Sequence, residues 1–114
     1  MFTMTHDQFG DEAEAVALAE AAGLTPRAFD FGEVHNDFHW HDFSSAVYVV
    51  SGELTITVRD SGEQCTLRAG SCITAEARVV HREDSVGYRA VVGFDCDPAT
   101  IKPPIDRDPA QLTT

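Results

Sequence analysis

Residues 46–58 read AVYVVSGELTITV, and in the second half Leu54, Ile56 and Val58 alternate with Thr55, Thr57 and Arg59. A period of two predicts a strand with one buried face. The first half is apolar on both faces, and with Ser51 and Gly52 between the runs the pattern predicts a hairpin. A second turn at Asp60, Ser61 and Gly62 leads to EQCTLRAG, then SCITAEARVV, then YRAVVGF. Strands thus recur about every ten residues, which is the rhythm of an all-β sandwich or barrel.

The flanks differ. From Asp11 to Gly23 the sequence DEAEAVALAEAAG is alanine-rich with acids in its first turn, and Gly23 before Pro26 supplies a stop; this predicts one short helix with an apolar stripe of Val16, Leu18, Ala19, Ala22 and Leu24. The C-terminal run DPATIKPPIDRDPAQLTT holds four of the five prolines and no periodic pattern. It is expected to be an extended or mobile arm, able to wrap a neighbouring subunit. The organisation expected is therefore an N-terminal segment with a short helix (1–25), a β-barrel (26–96) and a proline-rich arm (97–114).

Composition narrows the partners. Nineteen acidic residues against eight basic give a formal net charge of -11, which repels phosphate backbones and anionic membrane surfaces, so neither nucleic acid nor a membrane is expected as a partner. No apolar run approaches a membrane span, and the acidic start MFTMTHDQFGDEAE does not resemble a signal peptide; a cytoplasmic protein is expected. Cys65, Cys72 and Cys96 are odd in number and match no CxxC spacing, so reduced thiols are expected rather than a disulfide framework or a thiolate zinc site. A chain of 114 residues buries a limited core, and the run AVYVV suggests pairing through a sheet face, so a homodimer is expected.

The candidate chemistry lies in HNDFHWHDFSS, residues 35–45, which holds three of the five histidines. In an extended strand His35, Asp37, His39 and His41 share one face. His81 follows some forty residues after His39, before the strand YRAVVGF. Two imidazoles from one segment and one from another would cap a metal from one side and leave positions open for water or a substrate.

The stretch from Gly32 through Asp95 resembles the cupin superfamily. In the run FHWHDFSSAVYVVSGELTITV, His39 and His41 match the H-x-H of the first cupin motif and Gly52 matches its final glycine. In GSCITAEARVVHREDS, Gly70 and His81 fall at the offsets of the second motif, while Glu76, Arg78 and Ser85 stand where Pro, Gly and Asn are usual. The resemblance implies a double-stranded β-helix, or jelly-roll, barrel. It also implies His39, His41 and His81 as ligands to a divalent ion, with iron, zinc, nickel and manganese all open. Ser45 stands where the family usually has its metal-binding Glu, and a neutral hydroxyl is a poor substitute for a carboxylate. The implied set is three neutral histidines, which keeps the ion's full charge and favours small anionic or chelating substrates.

Two functions follow from the resemblance. One is a metal-dependent enzyme, such as a dioxygenase or isomerase, acting on a small anionic metabolite. The other is a non-catalytic ligand-binding or sensor module that has lost the metal-site Glu. His35 is a fourth ligand, a group bonded to a substrate or a surface histidine, while Asp37 and Asp42 are orienters of an imidazole or solvated loop acids. Glu33 and Glu76 are candidate bases against a default of solvated acids. Cys72 is a cavity thiol or a small buried residue. Phe38, Trp40, Phe43 and Tyr48 line a pocket or pack the core, and Tyr88 or Arg89 could reach a substrate.

Overall fold

A computed structural model describes residues 2–101 and 106–111. After strand β1 (Phe2–Thr5) comes helix α1 (Glu12–Ala21). The helix starts where the Asp11 carboxylate accepts from the Glu14 N–H at 2.8 Å, with Glu12 and Glu14 in the first turn. It stops in a paired closure in which Gly23 N–H donates to Glu20 C=O and Leu24 N–H to Ala19 C=O, both at 3.0 Å. That closure needs a left-handed residue, and Gly23 has φ +79.

Eight further strands follow: β2 (Thr25–Phe31), β3 (Val34–His35), β4 (Ser45–Gly52), β5 (Leu54–Val58), β6 (Gln64–Leu67), β7 (Cys72–Ala75), β8 (His81–Ser85) and β9 (Tyr88–Phe94). They form two antiparallel sheets, β1-β7-β4-β9-β2 and β3-β8-β5-β6. The all-β jelly-roll expectation is met. The expected hairpin between β4 and β5 is not: β4 pairs with β7 and β9, β5 with β6 and β8, so the chain changes sheet at this point. Gly52 makes the corner. It has φ +80, and a Cβ there would overlap the Gly87 carbonyl and come within 2.9 Å of Tyr88 Cα.

The change of sheet also explains the apolar pattern. β5 buries Leu54, Ile56 and Val58 on one face, as alternation predicts. β4 buries both faces, with Val49 in the barrel interior beside Leu54, Ile56, Leu67, Ile73 and Ala90. On its outer face Ala46 and Tyr48 meet Ala15 and Ala19 of α1 and Val91 of β9. The helix therefore covers the outer face of AVYVV, which was the ground for expecting a dimer. Arg89 on β9 secures this layer by pairing with Glu12 of the helix and with Asp30 of β2. Leu18, assigned to the buried stripe by periodicity, is instead exposed, while Ala15 is fully buried.

β1 lies on the sheet edge beside β7, a strand that the N-terminal sequence did not announce. At the other end, the chain after a 3-10 turn at Pro98–Thr100 comes back over its own barrel at residues 106–111. There Arg107 forms a two-way backbone bridge with Trp40, at 2.9 and 3.1 Å. The Trp40 indole N–H donates to the Asp108 carbonyl at 2.9 Å, and the Arg107 guanidinium sits over the indole ring and bonds Asp42. The expected arm is thus, at 106–111, bound to its own domain. Among the described residues no helix is long and apolar enough to cross a membrane, and Cys65, Cys72 and Cys96 are unpaired.

Candidate metal centre

His39 precedes β4 rather than opening a strand, and a two-way backbone bridge holds it against His81 at the start of β8, at 2.8 and 2.9 Å. His41 is fixed two residues on, where its carbonyl accepts from Arg78 N–H at 2.9 Å. Extended geometry then turns His39 and His41 to one face, and the bridge puts His81, with Glu83 two residues on, on that same face. One donor atom from each of these four residues lies within 4.8 Å of the other three. The sequence reading brought the three histidines forward and missed Glu83. Its signal was an H-x-E spacing on one strand face in HREDS, the same parity argument that joins His39 to His41.

The second ring nitrogens fix the chemistry of the first. His39 Nδ1 donates to the Asp37 carbonyl and His81 Nδ1 to the Val79 carbonyl, both at 2.9 Å. In a neutral imidazole this leaves Nε2 as an unprotonated lone pair aimed at the centre. His39 Nε2 lies 3.5 Å and His81 Nε2 3.3 Å from Glu83 Oε1. His39 Nε2 is also buried with no hydrogen-bond partner among the described residues. Lone pairs facing a carboxylate at these distances repel unless a cation, either a proton or a metal ion, lies between them.

The titration behaviour agrees. Burial raises the pKa of Glu83, but the imidazoles of His39 and His81 beside its carboxylate outweigh burial and hold it down at about 2. Burial opposes protonation of His39, yet Glu83, the Asp37 carbonyl and Asp106 hold its pKa above the usual histidine value. The pocket thus selects positive charge. Ligand bonds of ~2.0–2.2 Å to N and O donors put opposite donors ~4.2 Å apart, so a first-row ion fits after a contraction of some tenths of an ångström. The Asp37 that matters is its carbonyl rather than the carboxylate that the sequence suggested.

Several candidates lie elsewhere. His35 on β3 is exposed and ion-paired at 3.0 Å to both Glu33 and Asp84, neighbours that raise its pKa; neither His35 nor Glu33 joins the cluster. Asp42 anchors Arg107 at 2.9 Å. Cys72 lies beside Tyr48 under the helix, where burial pushes the thiol up to about 11. Glu76 is exposed and also stands outside the cluster. Phe43 stacks on His41 with ring centroids 5.0 Å apart, and Tyr88 stacks on Phe31 at 4.7 Å. Ser45 is buried and lines the cavity beside the centre without belonging to the cluster.

That cavity has a volume of about 360 Å³ and runs between the sheets from His41, His81 and Glu83. Phe29, Phe31, Phe43, Val47, Ile56 and Phe94 supply much of its wall.

A jelly-roll barrel with histidines gathered at one end of its cavity defines a cupin-type fold, and the sequence comparison agrees. The family model described as cupin domain matches residues 28–93, more than half of the chain, and the chain belongs to that family. Among solved structures, a DUF861 family protein from Thermotoga maritima is similar over 82% of this chain and 99% of its own, at 13% identity and a TM-score of 0.57. Acireductone dioxygenase from Bacillus anthracis, with a cadmium ion in its active centre, is similar over 74% of this chain and 58% of its own, at 14% identity and a TM-score of 0.60. At such identities the likeness is one of fold. A comparison with curated proteins finds no match.

Proposed function

We propose that this chain is a metal-dependent cupin in which His39, His41, His81 and Glu83 hold one divalent ion, and that the adjoining cavity takes a small molecule for oxidation or isomerisation. The observation that carries the reading is the aim of His39 Nε2 and His81 Nε2 at Glu83 Oε1, at 3.5 and 3.3 Å, with both Nδ1 atoms committed to backbone carbonyls. This is the arrangement in which a cation at the centre satisfies groups that otherwise repel.

A bound ion with open positions supplies Lewis-acid polarisation or, if redox-active, a place where substrate and dioxygen meet. The chain supplies the rest. The carbonyls of Asp37 and Val79 fix two imidazole tautomers, which orients ligands and raises their basicity. Phe29, Phe31, Phe43 and Phe94 give the cavity an apolar wall, which offers water few hydrogen-bond partners. Loss of the family's usual carboxylate at Ser45 was the ground for a non-catalytic sensor, and Glu83 removes that ground.

The test is elemental analysis of untagged protein, native and with His39→Ala and His81→Ala. One ion per chain, lost in both variants, is expected. Absence of stoichiometric metal, or equal retention in both variants, contradicts the reading.

A further inference from the structure

Resting on the metal-centre reading above, we propose that the cavity binds a small, largely apolar molecule that meets the ion through one uncharged chelating head group, and that Asp106 sets this selectivity by disfavouring anions.

The first support is the wall. At about 360 Å³ the cavity lies near the small end of ligand pockets, which run from ~300 to ~1,000 Å³. Aromatic and branched aliphatic side chains form most of it, and among the described residues no lysine or arginine lines it. The nearest guanidinium on the returning arm, that of Arg107, is turned to the Trp40 ring and Asp42. Among the described residues this wall offers a bound anion no side-chain ammonium or guanidinium.

The second support is the charge at the centre. A neutral three-histidine set would leave a divalent ion with its whole charge, the basis for expecting an anionic metabolite. Glu83 removes one unit. Asp106 brings another carboxylate, 3.6 Å from His41 Nδ1 and 3.8 Å from His39 Nε2. It forms part of the wall both of the cavity and of the open groove along Asn36–His39 and Asp106–Pro109. The Arg107–Trp40 bridge, one residue away, holds it at that position. The two carboxylates together neutralise a divalent ion, so an incoming anion gains no net attraction and passes a negative charge at the mouth.

The experiment uses full-length protein loaded with Co²⁺, whose visible absorption reports ligands entering the metal's open positions. Three probes are titrated: 1-phenyl-1,2-propanedione, 2,3-butanedione with the same uncharged diketone head and no ring, and azide as a small anion. The phenyl diketone is expected to bind at least ~tenfold more tightly than 2,3-butanedione, as burying a ring predicts. Asp106→Asn, at an exposed residue, is expected to tighten azide binding roughly tenfold while changing the phenyl diketone by less than about twofold. Equal affinity for the two diketones overturns the proposal, as does an azide affinity unmoved by Asp106→Asn. Failure to take up one Co²⁺ per chain overturns the metal-centre reading itself, and a normal Co²⁺ load with the wrong probe order overturns the selectivity alone.

Discussion

His81 and Glu83 leave the same face of β8 and converge, with the histidine Nε2 3.3 Å from the glutamate Oε1. The carboxylate of the centre is therefore carried by the four-stranded sheet, and not at Ser45 on β4 of the other sheet.

Replacing the charge while keeping the shape tests that assignment. Glu83→Gln is expected to weaken divalent-metal affinity by at least the ~10–100-fold typical of losing a supporting ligand partner, measured by competition with a chromophoric chelator. Unchanged affinity would show that three histidines suffice and that Glu83 is a bystander.

Trp40 is the single tryptophan, it lies between two candidate ligands in the chain, and it is 6% exposed. Its emission is therefore expected to report occupancy directly. Quenching by Cu²⁺ or Ni²⁺ should saturate at one equivalent and be abolished in His41→Ala. Emission indifferent to either ion would count against a centre at this position.

Gly52→Ala combines a left-handed backbone, which costs ~1–2 kcal/mol for a residue with a Cβ, with overlap against the backbone of Gly87 and Tyr88. A loss of at least about 2 kcal/mol in urea unfolding is expected. A change under ~0.5 kcal/mol, the range of an ordinary surface substitution, would mean that the corner between the sheets tolerates a side chain.

Under the helix, burial raises Cys72 to about 11 and Tyr48 to about 12. Both groups ionise more readily in the unfolded chain, near pH 9 and 10, so their stability contribution is complete below pH 9 and is lost as pH rises through 11 and 12. Unfolding free energy is expected to fall by a few kcal/mol across that window. Tyr48→Phe should flatten part of the decline, and an identical profile in the variant would assign the loss to other groups.

How far these features were legible in the sequence depended on whether they were local. Alternation in LTITV, the helix signals at Asp11 and Gly23 and the parity of His39 with His41 are properties of neighbouring residues, and the structure shows each one. The sheet change at Gly52 was not legible, because a glycine turn between two apolar runs reads equally as a hairpin until the partners of each strand are known. Glu83 was not legible because the family resemblance points to the position of Ser45 for a carboxylate, whereas β8 carries one with the same reach. The return of Asp106 to the centre depends on the Trp40 bridge, which no periodicity encodes.

The backbone bridge between His39 and His81 joins positions some forty residues apart, with β4 to β7 lying between them. An ion held from both ends of that bridge, as proposed above, would be a removable staple across a long loop, stabilising the folded chain by binding it in preference to the unfolded one. Chelation would then undo two things at once. The proposed metal centre would go, and with it a tie between the segment before β4 and the start of β8.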